Sequence, residues 1–133
     1  SAITNQGKMR FKLFEGGMNA AVLIDFMKRL IKDTQRKVVL ILDNLRVHHA
    51  KKVIKWLLGK EAQIEIYYLP PYSSELNPDE YLNCDLKDGV HSGVPARTKK
   101  ELAQKAISHL RKLQKLPARI KKYFKHPKIA YAA

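Results

Sequence analysis

The stretch Val38–Leu69, VVLILDNLRVHHAKKVIKWLLGKEAQIEIYYL, opens on an apolar run, passes through a basic amphipathic segment and returns to a second apolar run. Val38–Leu42 is β-branched and leucine-rich with no alternation, the pattern of a short strand buried on both faces. From about His49 to Lys60, Val53, Trp56 and Leu57 fall at helical spacing, and Ile64–Leu69 reads as another strand. A strand, a helix and a strand in so short a span call for a parallel crossover, right-handed by the chirality of its parts. This unit places the chain in the α/β class.

Working outward, Ser1–Thr4 reads as the end of a strand, Asn5–Gly7 as a turn, and Met9–Phe14 as its hairpin partner, with Met9, Phe11 and Leu13 alternating against polar residues. Asn19 can cap a helix through about Asp33, in which Val22, Phe26 and Leu30 recur at four-residue spacing. On the other side, Pro70–Leu76 is a loop and Asn77 to about Val90 a helix, with Gly89–Pro95 as a linker. Thr98–Leu116 follows as a helix with Leu102, Ala106, Leu110 and Leu113 inward. A last short helix begins at Pro117 with Ile120, Tyr123 and Phe124. No internal repeat or low-complexity segment interrupts this order.

The 133 residues are 45% hydrophobic and 29% charged, a globular composition with room for one domain. No apolar run is long enough to cross a bilayer, so no membrane partner is expected. Ser1–Arg10 lacks the basic-then-apolar order of a signal peptide. The single cysteine, Cys84, excludes an internal disulfide and fits a reducing cytoplasm.

Charge separates the chain into two regions. Lys and Arg number 26 against 12 Asp and Glu. Residues 97–133 hold Arg97, Lys99, Lys100, Lys105, Arg111, Lys112, Lys115, Arg119, Lys121, Lys122, Lys125 and Lys128 with one acid, Glu101, whereas residues 1–96 are nearly balanced. A region so one-sided fits a polyanionic partner, because every phosphate it neutralises releases a condensed counterion. Lys112, Lys115, Lys121 and Lys122 are its expected contacts, and DNA and RNA both fit such a partner.

Ligands of open α/β sheets gather outside the carboxyl ends of parallel strands. Asp43 stands directly after one such strand, and the loop Pro70–Leu76 leaves its neighbour at the same end. The helix starting at Asn77 carries Asp79 and Glu80 from that loop, which Pro70 and Pro71 hold extended. Convergent carboxylates suit a hard divalent cation such as Mg²⁺ or Mn²⁺. Asn77-Pro78-Asp79-Glu80 is equally a strong helix start: Asn at the N-cap, Pro at the first helical position, acids in the first turn, and Glu placed for a capping box. Both readings of Glu80 are compatible, since a helix N-terminus stabilises the ionised carboxylate.

LILDNLRVHHAKKV (residues 40–53 with Leu40 first) and YLPPYSSELNPDEYL (residues 68–82) closely resemble the catalytic domain of bacterial insertion-sequence transposases of the mariner-related superfamily. The resemblance spans Ala2 to roughly Lys87 and, more loosely, the rest. It rests on an Asp-Asn pair after a buried strand, a His five residues past that Asp, then Pro-Tyr-Ser and Leu-Asn-Pro-x-Glu. It implies a ribonuclease-H and retroviral-integrase fold: a mixed sheet flanked by helices, with residues 1–96 a partial catalytic core and 97–133 a basic helical region of the same domain. It also implies three acids holding two metal ions for phosphoryl transfer on double-stranded DNA, at transposon ends and target, with no small-molecule cofactor. Asp43 matches the second acid and Glu80 the third, with Asp79 as alternate. Asn44, His48 and Asn77 are supporting residues.

The family's first acid lies on a central strand upstream of the hairpin that opens this sequence, and its helix-turn-helix region is also absent. Asp25 is no substitute, being on an expected helix. Ser74 stands in place of a common proline, and Asn83 where many relatives have Trp. Without the first strand, Val38–Leu42 should close its edge with the hairpin or with a second copy, so self-association is expected. A bacterial or archaeal, nucleoid-associated cytoplasmic setting follows from the resemblance. Two other readings stay open: a catalytically inactive remnant or regulator that binds DNA or the transposase, and a ribonuclease-H-like nuclease outside transposition. His48 and His49 are read first as hydrogen-bonding loop backbone. Trp56 is read as core ahead of a base-stacking platform, Tyr68 and Tyr72 as packing residues at strand ends ahead of a place lining the DNA groove, and Cys84 as inert.

Overall fold

The computed structural model describes residues 1–133. Strands β1 (Ala2–Ile3) and β2 (Met9–Arg10) precede helix α1 (Ala20–Asp33), β3 (Val38–Leu42), α2 (Lys51–Leu57) and β4 (Ile64–Tyr68). Helices α3 (Asp79–His91), α4 (Lys99–Gln114) and α5 (Pro117–Tyr123) complete the regular structure, with 3-10 turns at Arg46–His49, Ser74–Leu76 and Pro127–Ala132. The chain is mixed α/β, consistent with a ribonuclease-H-like fold. No helix is long and apolar enough to cross a membrane. Two compact units form, one from Phe14–Ser74 and one from Ser1–Leu13 with Glu75–Ala133.

In the middle unit, β3 and β4 pair in parallel, from Val38 opposite Ile64 to Leu42 opposite Tyr68. Asn19 caps α1 as expected, its Oδ1 accepting from Val22 N at 2.9 Å. The core is Leu23, Met27, Val53 and Ile64, with Val38, Leu40, Trp56, Leu57 and Ile66 packed against it. The buried stripe of α1 is therefore Leu23, Met27 and Leu30 rather than Val22, Phe26 and Leu30. AAVLIDFMKRLI is apolar on most sides, so several series at helical spacing fit it. The expectation of a β3 buried on both faces is also corrected: Val38, Leu40 and Leu42 are half-buried, while Val39 and Ile41 are 57% and 42% exposed.

In the terminal unit, β1 and β2 pair antiparallel, Ala2 with Arg10 and Ile3 with Met9, a shorter hairpin than the alternation through Phe14 implied. Its turn uses Gly7 at φ +86°, where an added Cβ would lie 2.5 Å from the Pro117 carbonyl oxygen. Both the backbone and the close approach demand glycine there. Met9 enters a core with Leu82, Leu110, Leu113 and Ile120. Each such side chain contributes roughly 1.5–3 kcal/mol relative to exposure. These contacts hold the hairpin in its own unit, so the expected pairing of the hairpin beside Val38–Leu42 does not occur, and β3 pairs with β4 alone.

Two further expectations change in this unit. Leu102 is 47% exposed, so α4 turns Leu110 and Leu113 inward without it. Gly89 is a helical residue of α3, not the start of a linker, and a Cβ there would collide with the His109 ring.

Candidate active site and nucleic-acid interface

Asp43 follows the last residue of β3 at the carboxyl edge of the parallel pair, where Leu69 N donates to Leu42 O at 2.7 Å. The loop after it is fastened by hydrogen bonds. His48, 6% exposed, donates from Nδ1 to the Asp43 carbonyl oxygen at 2.7 Å and stands 3.1 Å from the carboxylate Oδ1. His49 donates from Nε2 to Asn44 Oδ1 and stacks on Tyr68 with ring centroids 4.1 Å apart. Tyr68 in turn donates its hydroxyl to His48 O at 2.9 Å, and burial pushes its phenol pKa up, keeping the proton in place. Tyr68 is thus a lock on the histidine turn as well as a packing residue. Its role could have been sought in its position at the end of the strand beside Asp43. The result is a carboxylate with a fixed backbone and a side chain 39% open to solvent.

Glu80 begins the terminal unit's α3. Asn77 does the capping, its Oδ1 accepting from Asp79 N at 3.0 Å, and Pro78 already has helical angles (φ −63°, ψ −22°). The two acids that follow are not equivalent. Asp79 accepts from the Ser1 hydroxyl at 2.7 and 2.9 Å. Glu80 is exposed, and its carboxylate makes no hydrogen bond or ion pair, so the capping box its spacing allowed is not formed. A helix N-terminus favours a free anion of this kind.

Residues that sequence reasoning missed hold this helix start. Tyr131 donates its hydroxyl to Leu76 O at 2.5 Å, and the Tyr81 and His126 rings lie 5.5 Å apart. Deeper in α3, Asp85 accepts from His109 Nε2 at 3.0 Å, from Arg119 Nε at 2.8 Å and Nη2 at 2.6 Å, and from the Tyr123 hydroxyl. These contacts join positions 24 to 38 residues apart, which no local pattern announces. Burial raises the Asp85 carboxyl, but hydrogen bonds from Tyr123, Arg119 and His109 and the Arg119 charge outweigh it, leaving its pKa lowered. The Tyr123 phenol is pushed up by burial and by the neighbouring carboxylate.

The expected basic contacts fall on α4, on its carboxyl-terminal cap and on α5, all in the terminal unit. Lys112, on the solvent face of α4, and Lys115, at its carboxyl-terminal cap, line with Gln104, Ser108 and Arg111 an open groove of about 720 Å³. Lys121 and Lys122 are exposed on α5. Lys105 is committed elsewhere, donating to Ser92 O at 2.9 Å and Val94 O at 2.6 Å, which fastens the α3–α4 loop.

The structure thus brings Asp43, Asn44 and His48 together in one unit, and Asn77, Asp79 and Glu80 together in the other. Neither unit gathers three His, Cys, Asp or Glu side chains that could hold a metal ion. The available donors are carboxylate oxygens on open surfaces, a set that fits a hard, partly hydrated cation. Among curated proteins none matches the chain. Residues 1–103 match the family model of the DDE superfamily endonucleases, and the chain belongs to that family.

Proposed function

We propose that this chain is the catalytic part of a DNA transposase of the mariner-related insertion-sequence type, with Asp43 and Glu80 as two of its three metal-binding carboxylates. The observation that carries the reading is the state of Glu80: exposed, unpaired and at a helix N-terminus whose capping is done by Asn77 instead. An acid kept only for capping would reach back to the backbone. His48 and Asn44 keep the Asp43 loop in one conformation, and Asn77 sets the direction in which α3 starts. Mg²⁺ or Mn²⁺, when bound, supplies the positive charge that stabilises a phosphoryl group under attack. In the family pattern the remaining acid comes from a strand before Ala2, and residues 1–96 act as a partial core with 97–133 as a basic helical region of the same domain.

A second reading, a non-catalytic chain that binds DNA or a transposase, is favoured by the absence of three clustered ligands within either unit. Mg²⁺-dependent nicking of supercoiled DNA by a protein that also carries the strand with the remaining acid separates the two: nicking supports the catalytic reading, and its absence the non-catalytic one. Robust cleavage by the 133-residue chain would rule out the non-catalytic reading, and would also show that the site needs no further acid.

The catalytic reading, and the DNA-binding form of the second, require DNA binding through phosphates. Neutralising Lys112, Lys115, Lys121 and Lys122 to Gln is expected to weaken binding to unrelated duplexes almost equally. The slope of log affinity against log salt should flatten by roughly 0.9 for each phosphate that is no longer neutralised. An unchanged slope would mean that these lysines are a merely solvated face.

Self-association belongs to the same proposal. The free edge of β3 carries Val38–Leu42, with no charge or proline to discourage strand addition. Sedimentation should show a dimer, and Val39→Lys with Ile41→Lys should return it to monomer without unfolding, both positions being exposed. A monomer at every concentration would end this part of the proposal.

A further inference from the structure

Tyr72 is the one non-glycine residue of the chain with positive φ, at +53°, and the residue is fully exposed, at 104%. Neither property fits a tyrosine that packs. A bulky residue in the left-handed region is strained, and a turn with proline before such a position ordinarily places glycine or asparagine there. Burial of the ring would offset the strain, but the ring buries nothing. The turn around it is nevertheless well fixed: Pro70 and Pro71 restrict the approach, and the Ser73 hydroxyl donates to Pro71 O at 3.1 Å. A stiff turn thus projects a full aromatic face into solvent, just beyond Leu69, whose N–H is bonded to the residue before Asp43.

We propose that Tyr72 is a stacking platform for an unpaired nucleobase of DNA, next to the carboxylate edge that carries Asp43. The proposal rests on the nucleic-acid reading above and adds the group recognised. A net formal charge of +14 draws the polyanion to the surface, while an aromatic ring recognises the flat face of a base. Inside a duplex both faces of each base are covered by neighbours. The ring can therefore engage only a base at an end, at a nick or turned out of the stack, and such bases arise where strands are cut and joined.

The test uses the 133-residue chain and two DNAs: a closed dumbbell duplex without free ends, and the same duplex with one unpaired 2-aminopurine. Wild type, Tyr72→Phe and Tyr72→Trp should quench the 2-aminopurine and bind the second DNA more tightly. Tyr72→Ala and Tyr72→Gly should lose the quenching and about tenfold in affinity for that DNA, while binding the dumbbell like wild type. Tyr72→Gly should also melt at or above the wild-type temperature, because glycine relieves the strain and no packing is removed. Equal quenching by wild type and Tyr72→Ala, with dumbbell binding intact, would overturn the stacking role alone. A lowered melting temperature in both Ala and Gly variants would overturn it as well, by showing that the ring packs. Failure of every variant and of wild type to bind either DNA would overturn the nucleic-acid reading and this one with it.

Discussion

Asp43→Asn or Glu80→Gln, made in a protein that contains these residues together with the strand bearing the remaining acid, should lower Mg²⁺-dependent DNA strand cleavage by about a thousandfold or more. The magnitude follows from the several kcal/mol that a metal contributes to phosphoryl-transfer transition states, each ~1.4 kcal/mol being a factor of ten in rate. Folding should be nearly unaffected. The Asp43 side chain is 39% exposed, and Glu80 makes no hydrogen bond or ion pair that its replacement would break. DNA binding should also persist, because the basic face of α4 is separate from both acids in sequence and chemistry. Asp79→Asn is the informative control. Its carboxylate is occupied by the Ser1 hydroxyl, so it should retain most activity. If Asp79→Asn abolishes cleavage and Glu80→Gln does not, the assignment of the acid on α3 is reversed.

The parts of the fold that could be read from sequence are those whose signal is local. The β3–α2–β4 crossover shows in apolar runs and helical spacing, and the caps at Asn19 and Asn77 show in residue type and position. The place of Asp43 was legible because the carboxyl edge of a parallel pair follows from the order of elements alone. What stayed hidden depends on distant partners. VVLIL has no polar positions to mark its open face, so the exposure of Val39 and Ile41 could not be read. Gly89 looks like a helix end, yet it is a helical residue whose missing side chain makes room for His109 on α4. Tyr72 looked like a packing residue because tyrosines near strand ends usually are. Only the backbone angle and the exposed ring show otherwise. Nothing in DEYLNCDLKDG distinguishes Asp85 from Asp88, although Asp85 joins three helices and Asp88 is exposed.

Asp85 carries the second large effect, on stability. Its side chain is 10% exposed and takes donors from α4 and α5, so the carboxylate is desolvated but well paired. Removing the acceptor would leave His109, at 12% exposure, and the Tyr123 hydroxyl without their partner, while Arg119, 43% exposed, could turn back to water. Asp85→Ala should therefore lower the unfolding free energy by about 2 kcal/mol at pH 7, the range for losing hydrogen bonds to a charged group that is only partly buried. The pH dependence has a definite sign. Because the folded-state pKa is lowered, the contribution is complete above the unfolded carboxylate range near pH ~4 and is lost as pH falls through the folded value. The stability gap between wild type and Asp85→Ala should accordingly narrow below pH ~4, as the wild-type carboxylate is protonated and its charge-assisted bonds weaken. Urea unfolding at neutral and acid pH measures both. A gap that stays constant with pH would show that Asp85 contributes by packing alone, and that α3 is held against α4 and α5 by the Leu82–Leu113–Ile120 core without help from this carboxylate.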